Sequence, residues 1–358
     1  MKQTILIVDD KKLNIDIITD ILSDSYAVMA ATSGERALKL LEKRKPDLVL
    51  LDVFMPGIDG FDVLRQMRMD AELSNIPVIF VTGEHDTSAE EKGLLLGAVD
   101  YVKKPFVPSI IRIKVRNHLE LKSYRDSLES LVRTRTKQLE ASREAIIMGM
   151  SLMSDIHDKA TGEHIERIKS LTSMLAEKML QMYPDLLSND LKEQITLFSP
   201  LHDVGKIGIS DTVLKKTDIL TPSEFDIIKS HTIEGASLLR KTESFLAGEK
   251  NVDNQLSVAI EIAECHHEKY DGSGYPSGLA GENIPISARI VAVADVYDAI
   301  RSVRPYKKSY THKDAVKIIL SGDEKTSPEH FDPKVLEVFK AVNADFENLY
   351  CFERANEY

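Results

Sequence analysis

Five short apolar runs open the chain, at residues 5–8, 28–31, 48–51, 78–81 and 99–102, with amphipathic helical spacing between them. Runs without polar alternation suit parallel strands covered on both faces. Each of four runs is followed at once or nearly so by a polar residue: Asp9 and Asp10 after the first, Asp52 after the third, Thr82 after the fourth, and Lys104 after the fifth. In an open α/β sheet the carboxyl ends of the strands line the ligand crevice, so these five side chains are expected to converge there. Three carboxylates brought together repel, and a hard, oxygen-seeking cation such as Mg²⁺ would relieve the repulsion.

From Pro108 to about residue 156 the pattern changes. There is no further proline and only Gly149, and the stretch is dense in Lys, Arg and Glu. Leu121, Tyr124, Leu128 and Leu131 fall at a and d spacing, but Arg135 and Ser142 sit where the pattern should continue. Two readings stand: a solvated connector helix with one apolar stripe, or a short parallel coiled coil that pairs two chains.

Beyond Ser151 helical periodicity takes over, and several histidines fall on apolar faces. His164 shares a stripe with Ile168, Leu171 and Leu175, and His202 continues the stripe Leu191, Ile195, Phe198. Thr221-Pro222-Ser223-Glu224 reads as a capping box opening a helix that carries Phe225, Ile228 and His231 on one side. His266-His267 follows an apolar run at 258–265, and Asp295 is a lone aspartate in a helix apolar nearly all round.

The segment Leu201-His202-Asp203-Val204-Gly205-Lys206-Ile207 sets an imidazole, a carboxylate and an ammonium in an apolar setting. A charge taken out of water there needs a partner or a metal. One inward histidine is satisfied easily by a hydrogen bond; five histidines and two aspartates on separate core-facing segments are not. Seven such donors, His164, His202, Asp203, His231, His266, His267 and Asp295, exceed one tetrahedral site and suit two metals sharing Asp203. Imidazole with carboxylate and no thiolate favours iron, manganese or zinc. Cys265 points about a quarter-turn from His266 and reads as small packing.

Composition narrows the class. With 358 residues the chain suggests two or three domains. Two cysteines, Cys265 and Cys351, without CxxC spacing fit a reducing compartment. No basic leader and no apolar run long enough for a bilayer make a soluble cytoplasmic protein, off the membrane, the expectation. A net charge of −11 argues against nucleic-acid polymers as partners.

The set Asp9/Asp10, Asp52 with Met55-Pro56-Gly57, Thr82 and Lys104-Pro105 resembles a response-regulator receiver domain over about residues 1–119. The resemblance implies that Asp52 accepts a phosphoryl group from a histidine kinase. It implies further that Asp9 and Asp10 hold Mg²⁺, that Thr82 and Lys104 contact phosphoryl oxygens, and that Tyr101 is the switch aromatic. Lys104-Pro105 is a candidate cis bond.

His202-Asp203-Val204-Gly205-Lys206, His231, His266-His267-Glu268, Asp271-Gly272-Ser273-Gly274-Tyr275-Pro276, Asp295 and Arg304-Pro305-Tyr306-Lys307 resemble an HD-GYP domain over residues 157–358. That family implies a helical bundle, a di-iron or di-manganese centre held by the seven donors above, and hydrolysis of cyclic di-GMP to the linear dinucleotide. Asp203 and Lys206 would be catalytic, with Lys206, Arg304 and Lys307 as phosphate contacts. Tyr275 would stack on a base or sit as a buried aromatic, and the glycine-rich loop would also meet other signalling proteins. For Arg304 to Lys307 a plain basic surface turn is the competing reading.

The glutamate that often precedes the first histidine by one turn is Ala160 here, which cannot ligate, so two metals rather than three are expected. The expected whole is multidomain, α/β plus all-α. It comprises a doubly wound, flavodoxin-like receiver at 1–119, a linker helix at 120–156 that would pair a homodimer, and the bundle at 157–358. Its activity would be on cyclic di-GMP or mixed cyclic GMP-AMP, controlled at Asp52. The alternative is a non-catalytic module that senses a ligand or redox state through its metals.

Overall fold

The structure, a computed structural model, describes residues 2–83, 87–155, 162–216, 218–246, 256–302 and 310–351. Ala160, Arg304 and Lys307 lie outside these residues. The chain divides into two compact units, residues 1–137 and 138–358.

In the first unit the apolar runs form five strands: β1 (Thr4–Val8), β2 (Ala27–Ala31), β3 (Leu48–Asp52), β4 (Val78–Thr82) and β5 (Asp100–Lys103). They pair in parallel in the order β2-β1-β3-β4-β5, the flavodoxin-like arrangement. Helices α1 (Lys12–Leu22), α2 (Gly34–Lys43), α3 (Gly60–Met69), α4 (Thr87–Leu95) and the start of α5 (Pro108–Asp155) cover the sheet. β1, β3 and β4 are buried along their whole length, which explains why their sequences do not alternate. Residues of successive parity feed two cores, one containing Leu6, Val49, Leu51 and Phe80, the other Ile5, Ile7, Leu50 and Ile79. The chain reverses its winding between β1 and β3. At that switch point the carboxyl ends of the two strands carry Asp9 and Asp52.

α5 runs unbroken through the stretch read as a linker. Ile111, Val115 and Leu119 on its first turns are buried, whereas Leu121, Tyr124, Leu128 and Leu131 are exposed.

The second unit is helical: α6 (Gly162–Met182), α7 (Asn189–Phe198), α8 (Asp211–Leu214), α9 (Pro222–Lys229), α10 (His231–Leu246), α11 (Ser257–Cys265), α12 (Ile286–Arg301), α13 (His312–Ser321), α14 (Pro333–Phe346) and α15 (Asn348–Cys351). Between α7 and α8 the segment Ser199–Gly208 is a 3-10 run. Side chains of Ser188, Thr311 and Asp332 cap α7, α13 and α14, and Thr221 with Glu224 forms the expected capping box on α9. One core, from Leu171, Leu175 and Phe198 to Val291, Tyr297 and Phe339, unites the unit. Each of these large side chains contributes roughly 1.5–3 kcal/mol by leaving water. No helix among the described residues is long and apolar enough to cross a membrane.

Two elements differ from the sequence expectation. α7 stops at Phe198, so His202 belongs to the 3-10 run rather than to the stripe Leu191, Ile195, Phe198. Pro200 cannot donate a backbone hydrogen bond, and the following segment tightens to three residues per turn. Likewise α9 ends at Lys229, and His231 begins α10 instead of closing the face started by Phe225, which is exposed. Ser230 stands between them and turns its hydroxyl back to the Ile227 carbonyl at 2.7 Å.

Candidate metal centre

Asp9, Asp10, Asp52 and Lys104 of the receiver-like unit do meet. Carboxylate oxygens of Asp9, Asp10 and Asp52 lie within 4.8 Å of one another. The Lys104 ammonium sits 3.0 Å from Asp9 Oδ2 and 3.1 Å from Asp52 Oδ1. Asp9 also accepts from the Lys11 backbone N–H and from Asn14 Nδ2, each at 2.9 Å. One ammonium among three carboxylates leaves the cluster short of positive charge. Burial and the neighbouring Asp9 charge accordingly push Asp52 up to about 6, although Lys104 opposes them. The Thr82 hydroxyl is buried at the same edge without a hydrogen-bond partner. Lys104-Pro105 is cis, as expected. Tyr101, the second residue of β5, is half-buried with the Lys114 ammonium 4.9 Å from its ring centre.

The second unit brings all seven sequence-derived donors together in two groups: Asp203, His231, His266 and His267 in one, His164, His202 and Asp295 in the other. Asp203 faces both. Its Oδ1 is 3.2 Å from His231 Nε2 and 3.8 Å from His266 Nε2, while Oδ2 is 3.3 Å from His202 Nε2. Asp295 Oδ1 approaches His202 Nε2 to 3.9 Å. Gly205 makes this convergence feasible: a Cβ there would lie 1.9 Å from the His231 carbonyl oxygen, so only glycine lets the 3-10 run press against α10.

The imidazoles are oriented by what their other nitrogens do. Nδ1 of His202 donates to the Ser199 carbonyl (2.9 Å), Nδ1 of His231 to Ile228 (2.7 Å), and Nδ1 of His266 to Ile262 (3.0 Å). A carbonyl only accepts, so these protons sit on Nδ1 and each ring aims Nε2 into the site, where its neutral form offers a lone pair to a cation. Two such lone pairs, on His231 and His266, face each other at 3.4 Å. His202 Nε2 and Asp203 Oδ1 are buried without hydrogen-bond partners. Buried acceptors gathered in this way fit divalent cations, and the all-N,O donor set fits iron, manganese or zinc.

Electrostatics agree with that demand for positive charge. Burial would lower His202, but the carboxylates of Asp203 and Asp295 overcome it and raise the ring to about 9. Burial drives His266 well down, with the adjacent imidazoles adding to it, and takes His267 to about 4. Asp203 resists its own burial and is held well below the carboxylate range by Lys206 and His202. The Lys206 ammonium, expected to contact a phosphate, lies 2.7 Å from Asp203 Oδ2.

The roles of some contributors were not legible in the sequence. Asp295 is not the lone acid of α12: Asp298, one turn on, is almost fully buried and accepts from His164 Nδ1 at 2.6 Å. It also accepts from Arg167 Nε at 2.6 Å and the Tyr350 hydroxyl at 2.5 Å, and it is held well below the carboxylate range; burial opposes this but the His164 and Arg167 contacts prevail. Spacing of i,i+3 from Asp295 was the available signal, since it puts both acids on one helix face. Glu268 is the other. Its buried carboxylate accepts from the backbone N–H groups of Ser277 (2.7 Å) and Leu279 (3.0 Å), folding the glycine-rich loop back onto the histidine pair. Within that loop Tyr275 lies against His267, ring centres 4.8 Å apart, and the Tyr275-Pro276 bond is cis.

Comparison with known proteins gives the same division. Residues 5–116 match the response regulator receiver domain and residues 151–335 the HD domain. A probable cyclic di-GMP phosphodiesterase of Vibrio cholerae is 39% identical over 97% of this chain and 79% of its own length. A cyclic di-GMP phosphodiesterase of Thermotoga maritima is 34% identical over 98% and 93%. The cyclic di-GMP phosphodiesterase response regulator RpfG of Xanthomonas campestris is 33% identical over 87% and 80%.

Proposed function

Because this chain belongs to the family of response regulators that join a receiver domain to an HD domain, we propose that it is a metal-dependent phosphodiesterase that opens a cyclic dinucleotide, cyclic di-GMP or mixed cyclic GMP-AMP, to the linear product. The reading rests on one observation above the rest: Asp203 turns one oxygen to each of two donor groups in which buried imidazoles present bare Nε2 atoms. His231, His266 and His267 would hold one ion, His164, His202 and Asp295 the other, and Asp203 both. Such a pair of ions, when bound, supplies Lewis acidity and a water acidified toward neutrality.

The remaining roles belong to the chain. Backbone carbonyls and Asp298 keep the imidazoles in the tautomer that donates inward. Lys206, beside Asp203, places a cation where a phosphodiester oxygen would enter and so offsets charge building on phosphorus. Glu268 holds the loop that walls the site. In the other unit, Asp52 would accept a phosphoryl group from a histidine kinase, with Asp9 and Asp10 holding Mg²⁺ and Thr82 and Lys104 meeting the phosphoryl oxygens. The exposed stripe from Leu121 to Leu131 would pair two chains, and the protein would act in the cytoplasm.

The test is product analysis on the purified, metal-loaded chain with cyclic di-GMP, mixed cyclic GMP-AMP and mononucleotides. Conversion of a cyclic dinucleotide to its linear form is expected. Metal-loaded protein that binds but turns over neither would refute the reading.

A further inference from the structure

At the mouth of the metal centre a lysine is set between two aromatic rings. The Lys229 ammonium lies 4.7 Å from the centre of the Phe225 ring and 5.8 Å from that of Tyr275. Tyr275 in turn rests on His267, a metal-donor histidine. Lys229 is only two residues before His231, so the end of α9 ties this trio to the donor cluster through backbone that cannot move far. Its ammonium also meets Asp226, at 3.0 Å, whose carboxylate is largely in solvent and therefore a weak tether. Phe225 leaves 46% of its surface exposed, an unusual position for a phenylalanine.

We infer that Phe225, Lys229 and Tyr275 form a base-recognition subsite, in which a purine stacks on an aromatic face while Lys229 donates to the O6 and N7 acceptors of guanine. The inference deepens the proposed function and rests on it. Aromatic faces take any base, at roughly 1–3 kcal/mol per base. The ammonium discriminates. Guanine offers two acceptors along that edge, whereas adenine offers N7 beside an amino donor that an ammonium repels. The lysine is held over the rings by cation–π attraction, so a base that slides onto the Phe225 face displaces the ammonium from that face to the edge of the base. The seven donors of the metal centre would be engaged with ions, so selectivity for the base has to come from side chains outside that set.

The experiment compares kcat and KM of full-length, metal-loaded protein on cyclic di-GMP and cyclic di-AMP, whose backbones are identical, for wild type, Lys229→Met and Lys229→Arg. Equilibrium binding of each dinucleotide is measured alongside. The methionine variant is expected to lower the guanine-to-adenine preference in kcat/KM by about 5- to 10-fold, the low end for a lost base contact, mainly through KM. Arginine, with its fork of donors, should restore the preference. A purely structural lysine would affect both substrates alike, and an unchanged ratio in Lys229→Met overturns the subsite while leaving the phosphodiesterase reading intact. Should wild type bind guanine dinucleotide in a Lys229-dependent way without hydrolysing it, the subsite stands and the proposed activity falls. If wild type binds neither dinucleotide, both fall.

Discussion

Replacing Asp52 by asparagine should stabilise the sheet of the first unit at neutral pH. Asp52 is 5% exposed and shares its pocket with Asp9 and Asp10, with the Lys104 ammonium bonded to it. Burial and Asp9 raise its carboxyl from 3.8 to about 6, which corresponds to about 3 kcal/mol between its ionised and neutral forms. Between those two values the folded chain holds the proton more tightly than the unfolded chain does. Stability is therefore greatest below the unfolded value and is lost as pH rises through about 6. At pH 7 wild type bears the full cost; asparagine is neutral at every pH and bears none of it, losing only part of the Lys104 contact. A net gain on the order of 2–3 kcal/mol is expected, seen as a roughly 30- to 150-fold rise in hydrogen-exchange protection of the β1 and β3 amides in the full-length chain. The difference should vanish below about pH 4 and narrow when millimolar Mg²⁺ is added, since the cation favours the wild-type carboxylate. Equal or lower protection in Asp52→Asn at pH 7 without Mg²⁺ would refute the electrostatic account of the cluster.

Asp298→Asn keeps an acceptor for His164 but removes the charge, and should weaken metal binding in the His164, His202, Asp295 group by about 10- to 100-fold, with the other group less affected; chelator competition reads the two affinities. Cys265, whose thiol burial pushes up to about 12, should resist alkylation in native protein at pH 8 and react once the chain is unfolded; rapid native labelling would contradict the packing described. Leu128→Glu places a charge on the exposed stripe of α5 and should shift a dimer to monomer in sedimentation. If the chain is monomeric already, the coiled-coil reading of that stripe fails.

How far the sequence could be read follows from the physics of each element. The strand runs were legible because both faces of β1, β3 and β4 are covered, which leaves nearly continuous apolar letters ended by an acid or a threonine. The seven donors were legible as residue types, since charge amid apolar residues needs an explanation. Their placement was less so: helical periodicity carried straight through Ser199 and Ser230, where the backbone in fact tightens or restarts. Asp298 was missed because one more acid near a helix end reads as solvated, and its partners Arg167 and Tyr350 are distant in sequence. Lys229 was invisible for the same reason. Its meaning comes from Tyr275, on a loop that Glu268 folds back across the site.

The most direct test of the account is the number of transition-metal ions in the second unit's site. Full-length protein purified anaerobically without added metal, analysed for iron, manganese and zinc together, should carry two ions per chain, and Asp203→Ala should lose at least one while keeping its helical content. Three ions in wild type, or two ions undiminished in Asp203→Ala, would contradict a pair of metals joined through that carboxylate.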